Sequence, residues 1–400
     1  MTRLALLFVL FAQDADLFQL AKRVADTVAA EPQGIEALFA QSLLTEVPPK
    51  QLAALLKHLH GSQGSVTAVE SIGDGKFVFA FAKGNRARVA LKADQGKITA
   101  FWVGPPYAAL GSLDDVVAAL KKLPGSVSFQ VAKLGDKAGV VAELNPDTSL
   151  AIGSAFKLYI LGALIEDKKP WDEVIQIQEA YRSWPTGVLQ NEKTGTPFTV
   201  EQMASKMISI SDNTATDHLL AHVGRARAEA MMKTMGCAKP EKSLPFLSTL
   251  EMFNIKTNPA LRTKYIAADE KTRRAMLDGE VRELPRKLPL WSTPTAIDTL
   301  EWFGSASDLV RAMDWIRRKN EPTAMKVLSI NPGVDVPKER FAFAGYKGGS
   351  EPGVISMTWL LATKDGAWLA VSACWNNPEK TIDDVKFVAI LQAAIYAIPK

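Results

Sequence analysis

Ala151-Ile152-Gly153-Ser154-Ala155-Phe156-Lys157-Leu158-Tyr159-Ile160-Leu161-Gly162-Ala163-Leu164-Ile165 is the stretch on which the reading of this chain turns. A helix that is apolar on every face has no solvent side, so residues 157–165 belong in the centre of a domain. Period-two runs precede the stretch, at Val127–Leu134 and Gly139–Leu144. Helical patterns then continue from about 154 to 320. Three further strand patterns follow at Phe341–Tyr346, Val354–Ala362 and Trp368–Trp375, and a helix at about Thr381–Ile398 closes the chain. Strands at both ends of a helical segment predict one sheet assembled from the two ends. Short turns between the last three strands make those pairings antiparallel. The expected class is α+β, an antiparallel sheet flanked by helices.

Upstream, residues 14 to about 60 carry apolar positions at helical spacing. Residues 65–104 alternate, as in Phe77-Val78-Phe79-Ala80-Phe81. A small α+β domain is therefore expected over 13–124, with a boundary near 125 at Lys121-Lys122-Leu123-Pro124-Gly125 and the second domain over 125–400. Four hundred residues fit two domains. Arg3 followed by the apolar run Leu4–Ala12 reads as a signal peptide over residues 1–12, with a buried N-terminal helix as the alternative. The signal-peptide reading makes the protein periplasmic or secreted. The run is too short to span a bilayer.

Composition narrows the chemistry. A net charge of +4 with no basic block gives no support to nucleic-acid binding. Cys237 and Cys374 are the only cysteines and have no ligand-spaced neighbours, which excludes a thiolate metal centre; whether the two pair is left open. His218 and His222 are four apart, but Leu219 stands where a zinc peptidase needs glutamate, so both read as helix-face residues. No Gly-x-Ser-x-Gly elbow occurs, and no cofactor motif was found.

Ser154 and Lys157, three apart, share a face of the helix start. A desolvated lysine there can act as base toward a serine hydroxyl, and the helix N-terminus offers N–H groups to an oxyanion. Ser211-Asp212-Asn213 follows 57 residues later and is the only such triplet. Lys347-Gly348-Gly349-Ser350 ends a strand, a setting suited to capture of a substrate carboxylate. Lys193-Thr194-Gly195 falls before Ser211, outside any strand pattern, and is set aside.

Ser-x-x-Lys, Ser-Asp-Asn and a Lys-Gly-Gly-Ser variant of Lys-(Thr/Ser)-Gly, in that order, resemble the signature of the serine β-lactamase and penicillin-binding protein superfamily. Thr199–Leu220 resembles the class A β-lactamase helix bearing the second serine, and Gly187-Val188-Leu189-Gln190 the stretch upstream. The extra N-terminal domain is similar to that of the hydrolase of clavulanic-acid gene clusters. The resemblance covers roughly residues 125–400. It implies Ser154 as nucleophile, Lys157 as its base and Ser211 as proton relay to the leaving nitrogen. It also implies that Asn213 orients Lys157 and the substrate amide, that Lys347 binds the substrate carboxylate, and that the N–H groups of Ser154 and Ser350 form the oxyanion hole beside Gly349. A small β-lactam or acyl-peptide substrate and no cofactor follow; alternatives on the same scaffold are a D,D-peptidase, an esterase or a β-lactam sensor that acylates without turnover.

The chain departs from that pattern twice. Gly348 replaces a hydroxyl residue, for which the Ser350 side chain is one replacement. The deacylating Glu-x-x-x-Asn is represented only by Glu251-Met252-Phe253-Asn254, one residue short. Glu251 is the candidate for activating the hydrolytic water. The 136-residue gap from Ser211 to Lys347 predicts a helical insertion around Arg262–Arg286.

Overall fold

The computed structural model describes residues 16–136, 138–284 and 291–399. The apolar run read as a signal peptide lies outside them. The chain divides into two compact units, one of Met1–Ser112 with Val385–Ile398, the other of Leu113–Asp384 with the last two residues.

In the first unit, helix α1 (16–27) precedes α2 (Ile35–Leu38), α3 (Gln41–Glu46) and α4 (Pro49–Gln63). Strands β1 (Val66–Gly73), β2 (Lys76–Phe81), β3 (Asn85–Asp94) and β4 (Lys97–Val103) pair in that order, antiparallel, and β5 (Tyr107–Ala108) adds to β3. The alternation read at 77–81 fits this sheet: Phe77, Phe79 and Phe81 join Val24, Leu52 and Leu56 in the core.

In the second unit, α5 (Leu113–Leu120) leads into β6 (Ser126–Leu134), β7 (Gly139–Leu144) and the short β8 (Leu150–Ala151). A 3-10 turn over Gly153–Phe156 feeds α6 (Lys157–Glu166), buried from Lys157 to Ile165 as its composition requires. The two-stranded β9 (Val174–Gln176) and β10 (Pro197–Thr199) precede α7 (Val200–Ser209), α8 (Asn213–Val223) and α9 (Arg225–Thr234). Helices α10 (Thr249–Thr257), α11 (Pro259–Ala267) and α12 (Glu270–Asp278) fill the long gap between Ser211 and Lys347. Then come β11 (Phe303–Gly304), which pairs with β8, α13 (Ala306–Lys319), α14 (Pro322–Ser329), β12 (Phe341–Glu351), β13 (Val354–Thr363) and β14 (Trp368–Asn376). The main sheet runs β12-β13-β14-β6-β7, antiparallel throughout. The two chain ends meet where β14 pairs with β6, as the strand pattern predicted. β13 is buried along almost its whole length, which explains why its residues are mostly apolar on both faces. α13 packs across β6, β13 and β14, and β12 is left as the edge that faces the 3-10 turn. Helix α15 (Asp384–Ala397) contributes Ala393 and Tyr396 to a cluster with Val78 and Tyr107 of the first unit.

Both cysteines are buried free thiols. Among the described residues no helix is long and apolar enough to cross a membrane.

Candidate active site

Three segments place the motif residues. The segment before Ser154 is clamped from both sides. The Asn376 side chain bonds Ala151 N (2.8 Å) and Ala151 O (3.0 Å), Trp302 O accepts from Ile152 N (2.9 Å), and Ser356 Oγ donates to Ile152 O (2.7 Å). Ser154 is half-buried, and its hydroxyl makes no hydrogen bond among the described residues. In a 3-10 turn residues i and i+3 eclipse, which sets Lys157 beneath Ser154.

The second segment is the α7–α8 junction. A Thr199–Gln202 capping box starts α7, whose face of Val200, Met203, Ala204, Met207 and Ile208 is buried. Ser211 sits between the helices at φ +58°, a conformation strained for a residue with a Cβ and stabilised here by its neighbours. Asp212 caps α8 by accepting from Ala215 N (2.8 Å). Its other oxygen accepts from Val188 N (2.7 Å) and Leu189 N (2.9 Å), so the middle residue of the triplet pins the upstream loop. Thr186 Oγ1 donates to Ser211 O (2.9 Å), and Asn213 Nδ2 to Trp184 O (3.0 Å).

The third segment is the end of β12. A Cβ on Gly349 would stand 2.2 Å from Ser154 N and 2.5 Å from Ile152 O, so only glycine lets this strand lie against the turn. Ser350 N is likewise 3.1 Å from the position a Cβ on Gly153 would take. The two-residue turn closed by Glu351 and Val354 puts Ser350 at a non-hydrogen-bonded register position opposite Ile355, leaving its N–H on the open edge of the sheet.

These segments converge on Ser211. Lys157 Nζ lies 3.0 Å from Ser211 Oγ, 2.7 Å from Ser211 O and 2.8 Å from Asn213 Oδ1. Lys347 Nζ lies 3.1 Å from the same Ser211 Oγ and 2.5 Å from Gly348 O. Complete burial, reinforced by the Lys347 charge, holds the Lys157 ammonium well below its ordinary range. Burial brings Lys347 down to about 7. A neutral Lys157 can accept a proton, while Ser211 Oγ, between two amines, can pass one on.

Residues 112–275 match the beta-lactamase enzyme family. Among solved structures, a β-lactamase from Sphaerobacter thermophilus aligns at 20% identity over 72% of this chain and 97% of its own, with a TM-score of 0.50. A β-lactamase from Francisella tularensis aligns at 14% identity over 71% and 97%, also with a TM-score of 0.50. Among curated proteins no sequence matches. The second unit thus carries a stretch that matches the beta-lactamase enzyme family, and it has the fold of the serine β-lactamases.

Within this β-lactamase-like unit the structure brings Lys157, Ser211, Asn213 and Lys347 into one hydrogen-bonded group and sets Gly349 and Ser350 against Ser154. Glu251 is held elsewhere. It forms a capping box with Ser248 at the start of α10, accepts from Ser248 N (2.7 Å), and pairs with Arg225 through both oxygens (2.6 and 3.1 Å). The Ser-x-x-Glu spacing of 248–251 was the signal for that capping role. Lys193-Thr194-Gly195 lies in the loop before β10, with Thr194 bound by Arg182 (3.1 Å). His218 uses both ring nitrogens locally, toward Thr214 O (2.7 Å) and Gln178 N (2.8 Å), and His222 lies 3.5 Å from Glu173. The sequence reading missed Asn376 and Ser356, which hold the backbone just before Ser154. Both act on backbone more than 200 residues away, and no local pattern marks such a contact.

Proposed function

We propose that this serine hydrolase of the β-lactamase superfamily opens a β-lactam or related amide through an acyl-enzyme on Ser154. The observation that carries the reading is the Lys157–Ser211–Lys347 chain, with a lysine of lowered proton affinity under the Ser154 turn. Ser154 Oγ attacks the carbonyl carbon as its proton passes to Lys157 Nζ. Negative charge on the carbonyl oxygen is met by the N–H groups of Ser154 and Ser350. The C–N bond then breaks, the nitrogen takes the Ser211 proton, and Lys157 returns its proton to Ser211. Water afterwards cleaves the ester, which frees the acid and restores Ser154.

A second reading, a D,D-peptidase, an esterase or a sensor that acylates and turns over slowly, is favoured by one observation. Both oxygens of Glu251 are committed to Arg225 and Ser248, so activation of the hydrolytic water by this carboxylate has no geometric support. Export to the periplasm or beyond remains part of the proposal; N-terminal sequencing of the mature protein tests it.

The test is intact-mass spectrometry with a penicillin and a cephalosporin, beside Ser154→Ala. A transient adduct with accumulating ring-opened drug supports hydrolysis. A lasting adduct on Ser154 supports the second reading. No adduct with either drug removes β-lactams from the substrate class.

A further inference from the structure

Gly348 lacks the hydroxyl that the third motif supplies elsewhere, yet the space beside it is filled. The phenolic oxygen of Tyr346 lies 2.1 Å from where a Cβ on Gly348 would stand. Tyr346 and Gly348 are two apart on β12 and share a face of the strand, so the ring lies along its own strand and brings the oxygen over the glycine.

The position is built rather than incidental. Gly333, at φ +73°, lets the ring in: a Cβ there would be 2.5 Å from the ring. Trp359 of β13 backs the ring at 5.1 Å between centroids, and its Nε1 donates to Pro332 O (2.8 Å). Asn331 ties the same loop to the catalytic segment by donating to Ser209 O (2.9 Å) while accepting from Gly333 N (3.0 Å). The Tyr346 hydroxyl itself has no hydrogen-bond partner among the described residues. Lys347 Nζ reaches the other side of Gly348, on its carbonyl oxygen. A cation and a free hydroxyl donor thus flank one glycine of β12. That is the donor set for a carboxylate.

We infer that Tyr346 is a specificity-determining residue, its phenolic O–H donating to the carboxylate of the substrate in place of a side-chain hydroxyl at position 348. Burial pushes the phenol upward, so it stays a donor throughout the working range. The inference rests on the acyl-enzyme reading above for the identity of the carboxylate.

The experiment compares Tyr346→Phe with the unmodified protein, using a cephalosporin and its carboxylate methyl ester and reading the second-order rate of Ser154 acylation by mass. A hydrogen bond to a charged partner predicts an about ten- to hundredfold loss on the acid and an unchanged rate on the ester. Equal losses on both, or no loss on the acid, would overturn it. Tyr346→Ala with Gly348→Thr returns a hydroxyl to the vacated space and is expected to restore the preference for the acid, whereas Tyr346→Ala alone does not. A second measurement does not need acylation: titration of ring-opened penicillin, a dicarboxylate, against Ser154→Ala with and without Tyr346→Phe. A ten- to hundredfold weaker affinity supports the inference even if neither drug acylates Ser154, in which case the acyl-enzyme reading alone falls. Equal affinity, or no binding to either variant, overturns it.

Discussion

Lys157 Nζ stands 3.0 Å from Ser211 Oγ, although one residue opens α6 and the other lies 54 positions on, in the junction between α7 and α8. The contact joins a base that has lost its solvent to the hydroxyl that would deliver a proton to the leaving group. Lys157→Met is therefore expected to slow acylation of Ser154 by about 10²–10⁴-fold, the range for loss of a positioned general base. Intact-mass kinetics with a penicillin measure this, and a loss under tenfold would remove Lys157 from the role.

The proton affinity of Lys347 sets a pH dependence. The group is charged below about 7 in the free protein and neutral above it. A carboxylate ligand binds the charged form, so binding draws in a proton once the pH exceeds about 7. Affinity is expected to be flat below that point and to fall towards tenfold per pH unit above it. Titration calorimetry of Ser154→Ala with ring-opened penicillin follows the curve. A flat profile from pH 6 to 9 would show that Lys347 does not meet the carboxylate.

The pairing of Glu251 with Arg225 predicts what its removal does. Glu251→Gln breaks a bidentate ion pair and weakens a capping box, for an expected loss of about 1 kcal/mol in stability. Decay of the acyl-enzyme is expected to stay within about twofold, since a group without a part in a step leaves its rate alone. Loss of turnover with intact acylation would return Glu251 to the role of water activator.

Close packing of strand on turn makes Gly349 irreplaceable. Gly349→Ala would push a methyl group into Ser154 N and Ile152 O, both main-chain atoms that cannot swing aside. The expected result is a folded protein whose acylation is at least about 10²-fold slower, because displacement of β12 takes Ser350 N–H away from the oxyanion. Unchanged acylation by mass spectrometry would contradict the placement.

Lys256 is shared by Glu301 and Glu351, with side chains 0%, 1% and 8% exposed. It joins α10 to the segment before β11 and to the end of β12. Lys256→Met leaves two buried carboxylates without a cation and is expected to cost about 3–5 kcal/mol, read by chemical denaturation. A loss below about 1 kcal/mol would show that the cluster is solvated.

Much of the architecture was legible because local patterns carry it. An all-apolar helix behind Ser154 can only be central, and period-two runs at both ends of the segment can only pair across it. The order Ser154-x-x-Lys157, Ser211-Asp212-Asn213, Lys347-Gly348-Gly349-Ser350 depends on spacing within single elements, so it could be read before any folding was known. Glu251 shows the limit. The one residue closes a helix-capping box with Ser248 and opens a near match to a deacylation motif that ends at Asn254, and only the position of Arg225, on another helix, decides between them.

Tyr346 shows the limit from the other side. Its place beside Gly348 follows from strand alternation, which the sequence contains. That the ring lies down along the strand depends on Gly333 leaving room and on Trp359 behind it, contacts between segments that share no local pattern. By itself the sequence determined which residue types stand at the helix start, the triplet and the strand end, because those are properties of neighbouring positions. Tertiary packing alone decided which oxygen faces which nitrogen, because side-chain direction and proton affinity are set by whatever distant segment excludes the water.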